Sequence, residues 1–186
     1  MGRFLSSLAL SALAVVVSGC AVVAPAYTPS IDNVQALKGS GAGKARVGAF
    51  DAVQGTANPN PIPLRANTMR SPYGGTFSAY LSEAITRELT MAGKLAPDSD
   101  IEITGTLLKN QVDPAIATGT GTIEARFVVK KGGAVRYDRV KSARREWESS
   151  FAAAIAIPRA VQEYSISVQT LLASLYADPD FINALK

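Results

Sequence analysis

Between Thr76 and Ala92 the apolar residues Phe77, Tyr80, Leu81, Ala84, Ile85 and Leu89 recur every three or four positions. That spacing lays one apolar stripe along a helix. Glu83, Arg87 and Glu88 fall on the other side, with Glu83 and Arg87 four apart in the favourable order. Thr76 is placed to cap the start and Gly93 to end it. The period then changes. Ile101, Ile103 and Leu107 are set against Glu102 and Thr104, and Ile123, Ala125, Phe127 and Val129 against Glu124, Arg126 and Lys130. Both stretches read as strands buried on one face, the first broken by Asp113-Pro114. Gly132-Gly133 is a two-residue hairpin signal, so Val135 to about Glu148 returns as an antiparallel strand. Helical spacing resumes with Val161, Tyr164, Val168, Leu171, Leu172 and Leu175, and Pro158 is the expected first residue of that helix. Asp178-Pro179 caps a short final helix. Ala45 to Phe50 alternates weakly and supplies the first strand. The order β-α-β-β-β-α predicts one α+β domain over residues 44–186. It is a two-layer domain: a mostly antiparallel four-stranded sheet with two main helices on one face.

Two stretches show neither period. Residues 20–43 are small, Pro-punctuated and then Gly-rich, and read as a flexible tether with a short strand around Ile31 to Leu37. Residues 51–75 read as a long loop holding Ile62, Leu64 and Met69, with Arg65, Arg70 and Tyr73 as a candidate docking group. A solvated insertion explains the same loop equally well.

Composition narrows the chemistry. The chain has 186 residues, enough for one domain with its own core. Its 19 basic and 15 acidic residues give a net charge of +4. This mild excess suits anionic lipid or an acidic partner and does not point to nucleic acid. Five basic residues, Arg136, Arg139, Lys141, Arg144 and Arg145, crowd the returning strand. They read either as the solvated outer face of an antiparallel strand or as a face for an anionic ligand or partner. The chain has no histidine, which removes the commonest general base and metal ligand. The acidic pairs Asp98/Asp100 and Asp178/Asp180 look like loop and cap residues. Tyr137, Trp147 and Phe151 could stack on a sugar, though large aromatics more commonly fill a core. No catalytic set, metal site or cofactor is expected.

The N-terminal pattern bears on location. Arg3 precedes an apolar run from Phe4 to Val17, which closes in Val17-Ser18-Gly19-Cys20 with the single cysteine. The run is shorter than the roughly 20 residues of a membrane span. Charged start, apolar middle and small-residue end make an export signal, with ordinary cleavage near Ala21, Ala24 or Ala26 as an alternative. The motif resembles the lipobox of bacterial lipoproteins. That resemblance implies a signal at residues 1–19, cleavage before Cys20, and acylation of Cys20. Ala21 in place of Asp implies the outer membrane, with the domain facing the periplasm. Lipobox, proline-rich segment and β-α-β-β-β-α order together resemble small Gram-negative outer-membrane lipoproteins. Among these are the YajG type, the lipopolysaccharide-assembly lipoprotein, and the auxiliary lipoproteins of lipid-trafficking ABC transporters. Trp147 to Phe151 and Asp178 to Phe181 look like signatures of such a group without a known role. The resemblance implies a non-enzymatic accessory or adaptor subunit in envelope biogenesis or transport, held to the membrane by N-terminal acyl chains and binding an envelope protein or anionic lipid. A module binding lipopolysaccharide, lipid or peptidoglycan directly is the alternative.

Overall fold

The computed structural model describes residues 21–186; the motif Val17-Ser18-Gly19-Cys20 and the expected signal lie outside the described residues. The elements are β1 (Ala21–Val23), α1 (Ile31–Gly39), β2 (Arg46–Ala52), β3 (Ile62–Leu64), β4 (Asn67–Arg70), α2 (Phe77–Ala92), β5 (Ile101–Asp113), β6 (Ala117–Lys131), β7 (Ala134–Ser149), α3 (Ala153–Tyr176) and α4 (Pro179–Ala184).

The main sheet runs β2-β5-β6-β7. β5, β6 and β7 are antiparallel, while β2 joins β5 in parallel through the α2 crossover. α2 packs on β2 and β5, and α3 on β6 and β7. Ile103, Leu107, Ile123, Ala125, Phe127 and Val129 fill the space beneath them. The opposite face carries Thr122, Glu124, Arg126, Arg144 and Glu146 and is uncovered by helix. This is the two-layer α+β domain the periodicity implies. Gly132 and Gly133 both take positive φ, 55° and 83°, as a two-residue hairpin turn requires.

Residues 21–43 are not a tether. β1 pairs in parallel with β4, and α1 packs across α2 and α3. Tyr27, Val34 and Leu37 are at most 3% exposed. The segment Ile31 to Leu37 is helical rather than extended, with Ser30 capping it by accepting from the Asn33 N–H. The strap also covers one side of α2. Glu88, which helical spacing sets on the solvent side, is therefore fully buried beneath it. Its carboxylate accepts from Tyr27 Oη (2.6 Å), the Ser30 N–H (3.0 Å) and Asn33 Nδ2 (3.2 Å). Burial raises its pKa, and these donors offset only part of that rise.

The 51–75 segment also contains structure. β3 and β4 form a hairpin that joins β1 in a small sheet ordered β1-β4-β3. Ile62, Leu64 and Met69 are fully buried. Pro158 is not the first residue of α3. The helix starts at Ala153, and Pro158 lies inside it. Lacking an N–H, Pro158 cannot donate to the carbonyl four residues back.

Candidate functional site

The five basic residues of β7 do not form one face. Successive residues of a strand point to opposite sides. Arg139, Lys141 and Arg145 therefore share the inner side with Tyr137 and Trp147, while Arg136 and Arg144 point outward. The inner three are paired. Lys141 Nζ lies 2.6 Å from Asp178, Arg139 pairs with Asp180, and Arg145 Nε lies 3.1 Å from Glu163, which Arg159 contacts from the preceding turn of α3. This pairing runs between β7 and the α3–α4 region and is structural.

Asp178 sits at the centre of it. Its carboxylate caps α4 through the Asp180 N–H (2.9 Å) and accepts from Tyr137 Oη (2.9 Å). Burial alone raises its pKa. The Lys141 ammonium, the Asp180 N–H and the Tyr137 hydroxyl outweigh that and bring it down to about 2. Tyr137 is pushed the other way by burial and by the same carboxylate. Tyr137 and Trp147 are core residues, but Phe151 is 80% exposed.

Arg65, Arg70 and Tyr73 separate in the same way. Tyr73 is half-buried; its hydroxyl accepts from the Tyr27 N–H (2.9 Å) and its ring meets Tyr80 edge-on at 5.4 Å. Arg70 ends β4 and is exposed, its carbonyl accepting from the Ala24 N–H. Arg65 occupies the two-residue turn of the β3–β4 hairpin at φ 57°. Its guanidinium donates to three carbonyls: Pro114 (2.8 Å), Phe151 (2.9 Å) and Ser150 (2.6 Å). It thus ties together the hairpin, the β5–β6 connection and the β7–α3 connection.

Arg65 and Arg144, drawn from different predicted groups, meet along one groove of about 470 Å³ on the open sheet face. Lys109, Gln111, Thr56 and Thr122 line it as well, and Asp113 is its acidic wall residue. Arg144 is engaged there by Glu146 at 2.9 Å. Three cations beside hydroxyl and amide groups can hold an anionic or polyhydroxylated ligand. Sequence reasoning missed Lys109, because a bulge after Leu107 in β5 resets which residues face outward, whereas Thr122 continues the outward side of β6 that Glu124 and Arg126 occupy. Among the described residues no cluster of acidic or sulfur ligands is arranged to hold a metal ion, and no helix is long and apolar enough to cross a membrane.

No protein-family model matches the chain, and no characterised protein matches its sequence. Solved structures do match its shape. Protein XCC0632 from Xanthomonas campestris, of family DUF330, aligns with a TM-score of 0.59 at 14% identity, covering 89% of this chain and 95% of its own. A candidate lipoprotein from Caulobacter crescentus aligns with a TM-score of 0.45 at 10% identity, covering 80% and 93%. At these identities the Xanthomonas likeness is one of fold: this chain shares the α+β architecture of that protein over nearly its whole length.

Proposed function

We propose that this chain is a non-enzymatic lipoprotein, acylated at Cys20 and held on the periplasmic face of the outer membrane, where it serves as an accessory or adaptor subunit in envelope biogenesis or transport. The observation carrying this reading is the lone cysteine at the end of Val17-Ser18-Gly19-Cys20, one residue before β1 begins. An unpaired thiol in an exported chain is either reactive or modified, and this one stands where a lipobox cysteine stands. The scarcity of acid–base chemistry supports a binding role: the chain has no histidine, and its buried acids Glu88, Glu163 and Asp178 are already engaged by protein groups. A second reading, direct binding of an anionic envelope lipid or glycan, is favoured by the groove that Arg65, Lys109 and Arg144 share.

Expression of the full chain and of Cys20→Ala in a Gram-negative host, with membrane fractionation and intact mass, tests the anchor. The expected product starts at Cys20, carries acyl mass and sediments with the outer membrane, while Cys20→Ala is released. A soluble, unacylated wild-type product would sink the reading.

A further inference from the structure

Phe151, Ala152, Ala153, Ala154 and Ile155 are five consecutive apolar residues, and all five are exposed. Phe151 is 80% exposed and Ile155 63%. Ala115, Ile116 and Ala117 form a second, shorter exposed run from the β5–β6 connection into the first residue of β6, with Ile116 at 63%. Exposed runs of this length are rare in soluble domains unless they dock on something. Arg65 binds both connections, so the two runs lie side by side at one end of the molecule. At the same end Val22, Val23 and Pro25 border an apolar hollow of about 340 Å³ with Ile157, Pro158 and Val161 at the start of α3.

We infer that this apolar end is a membrane-seating surface, dipped into the acyl boundary of the leaflet that carries the Cys20 anchor. The inference rests on the lipoprotein reading. Two further observations select lipid over a protein occupant. The first is distance. Val23 is three residues from Cys20, so its position lies within roughly 11 Å of the acylated residue even at full extension. With 21–43 folded as a strap, no slack separates the anchor from this end. The second is the state of the backbone. A segment entering lipid must satisfy its own polar groups. The Pro114, Ser150 and Phe151 carbonyls accept from Arg65, the Ala152 N–H donates to Ser150 Oγ, and the Ala152 carbonyl accepts from the Ile155 and Ala156 N–H groups. The Ala153 and Ala154 N–H groups of the first turn of α3 have no side-chain cap, so the tip seats where headgroup oxygens can accept from them, at the headgroup–acyl boundary, and not deeper. Arg70 and Arg159 are exposed nearby and suit the anionic headgroup level, while Asp113 and Glu148 are the neighbouring acids.

The test uses the acylated product beginning at Cys20 in vesicles of phosphatidylethanolamine and phosphatidylglycerol with brominated acyl chains. Once Cys20 is acylated, an introduced cysteine is the only free thiol. Phe151→Cys and Ile155→Cys carry an environment-sensitive fluorophore, and Val135→Cys, roughly 50 Å away at the far end of β7, is the reference. Quenching by the brominated chains at 151 and 155 is expected to exceed that at 135 by about threefold or more. Equal, weak quenching at all three sites in a protein whose mass shows acylation overturns the seating surface and leaves the lipoprotein reading intact. Shielding of 151 and 155 from aqueous iodide without quenching by brominated lipid overturns it in favour of a protein interface. An unacylated product overturns both.

Discussion

The carboxylate of Asp178 accepts from a tyrosine, a lysine and a backbone N–H while lying almost wholly buried. Its lowered pKa makes it a pH-dependent element of stability. The ionised form is favoured by folding, so its contribution is fully present above the ordinary value of 3.8 and is lost as pH falls towards about 2. Asp178→Asn is therefore expected to cost about 2 kcal/mol at neutral pH, with the difference from wild type shrinking between pH 4 and 2. Urea unfolding across that range measures it; a constant difference would mean that the ion pair with Lys141 is not the source. The same residues show what a strand hides from a linear reading. Arg136 to Arg145 look like one basic face in the sequence, yet alternation sends Arg139, Lys141 and Arg145 inward to acids that lie 18 to 41 residues away. Nothing local announces those partners, whereas Asp178 as a helix cap was legible from Asp-Pro alone.

Elements with a sustained period declared themselves. α2, β5, β6 and α3 all carry runs long enough for the period to exceed the noise, β7 follows from the Gly132-Gly133 turn, and Thr76 and Gly93 cap α2 as their types suggest. Elements of three or four residues did not. β1, β3 and β4 are too short to alternate, and Pro63 in β3 reads as a loop residue although its flanking Ile62 and Leu64 are buried. In the 51–75 segment Ile62, Leu64 and Met69 are therefore core, Tyr73 is half-buried, and Arg65 and Arg70 are exposed. Packing between elements also explains a glycine that sequence spacing left unexplained. Gly119 of β6 lies opposite Trp147 of β7, and a Cβ there would come within 2.3 Å of the indole nitrogen. Gly119→Ala is expected to destabilise by about 1–3 kcal/mol in denaturant unfolding, whereas Gly39→Ala, whose Cβ meets nothing within 4 Å, changes stability little. Equal effects would remove Trp147 as the reason for the glycine.

The whole molecule is two layers held shut by a strap. Tyr27, Tyr80, Tyr164 and Phe77 stack edge to face from the strap through α2 to α3, with centroids 5.0–6.0 Å apart. Removing residues 21–43 uncovers Glu88 and Tyr80 together and leaves two helices without their cross-brace. The 44–186 fragment is therefore expected to melt roughly 10 °C or more below the full described chain in thermal circular dichroism. An unchanged midpoint would make the strap a passenger.

That strap has a consequence for the order of events. Its contacts are among the most distant in the chain: Asn33 donates to the Gln169 carbonyl across 136 residues, and Gln169 donates to the Thr28 carbonyl across 141. Contacts of such separation close late, because the loop between them must first be organised. If the chain is exported as proposed, residues 21–39 emerge early and find their seat only after α3 has formed. On that reading the closing of the strap, and not the emergence of the N-terminus, ends the interval in which residue 20 is open to processing.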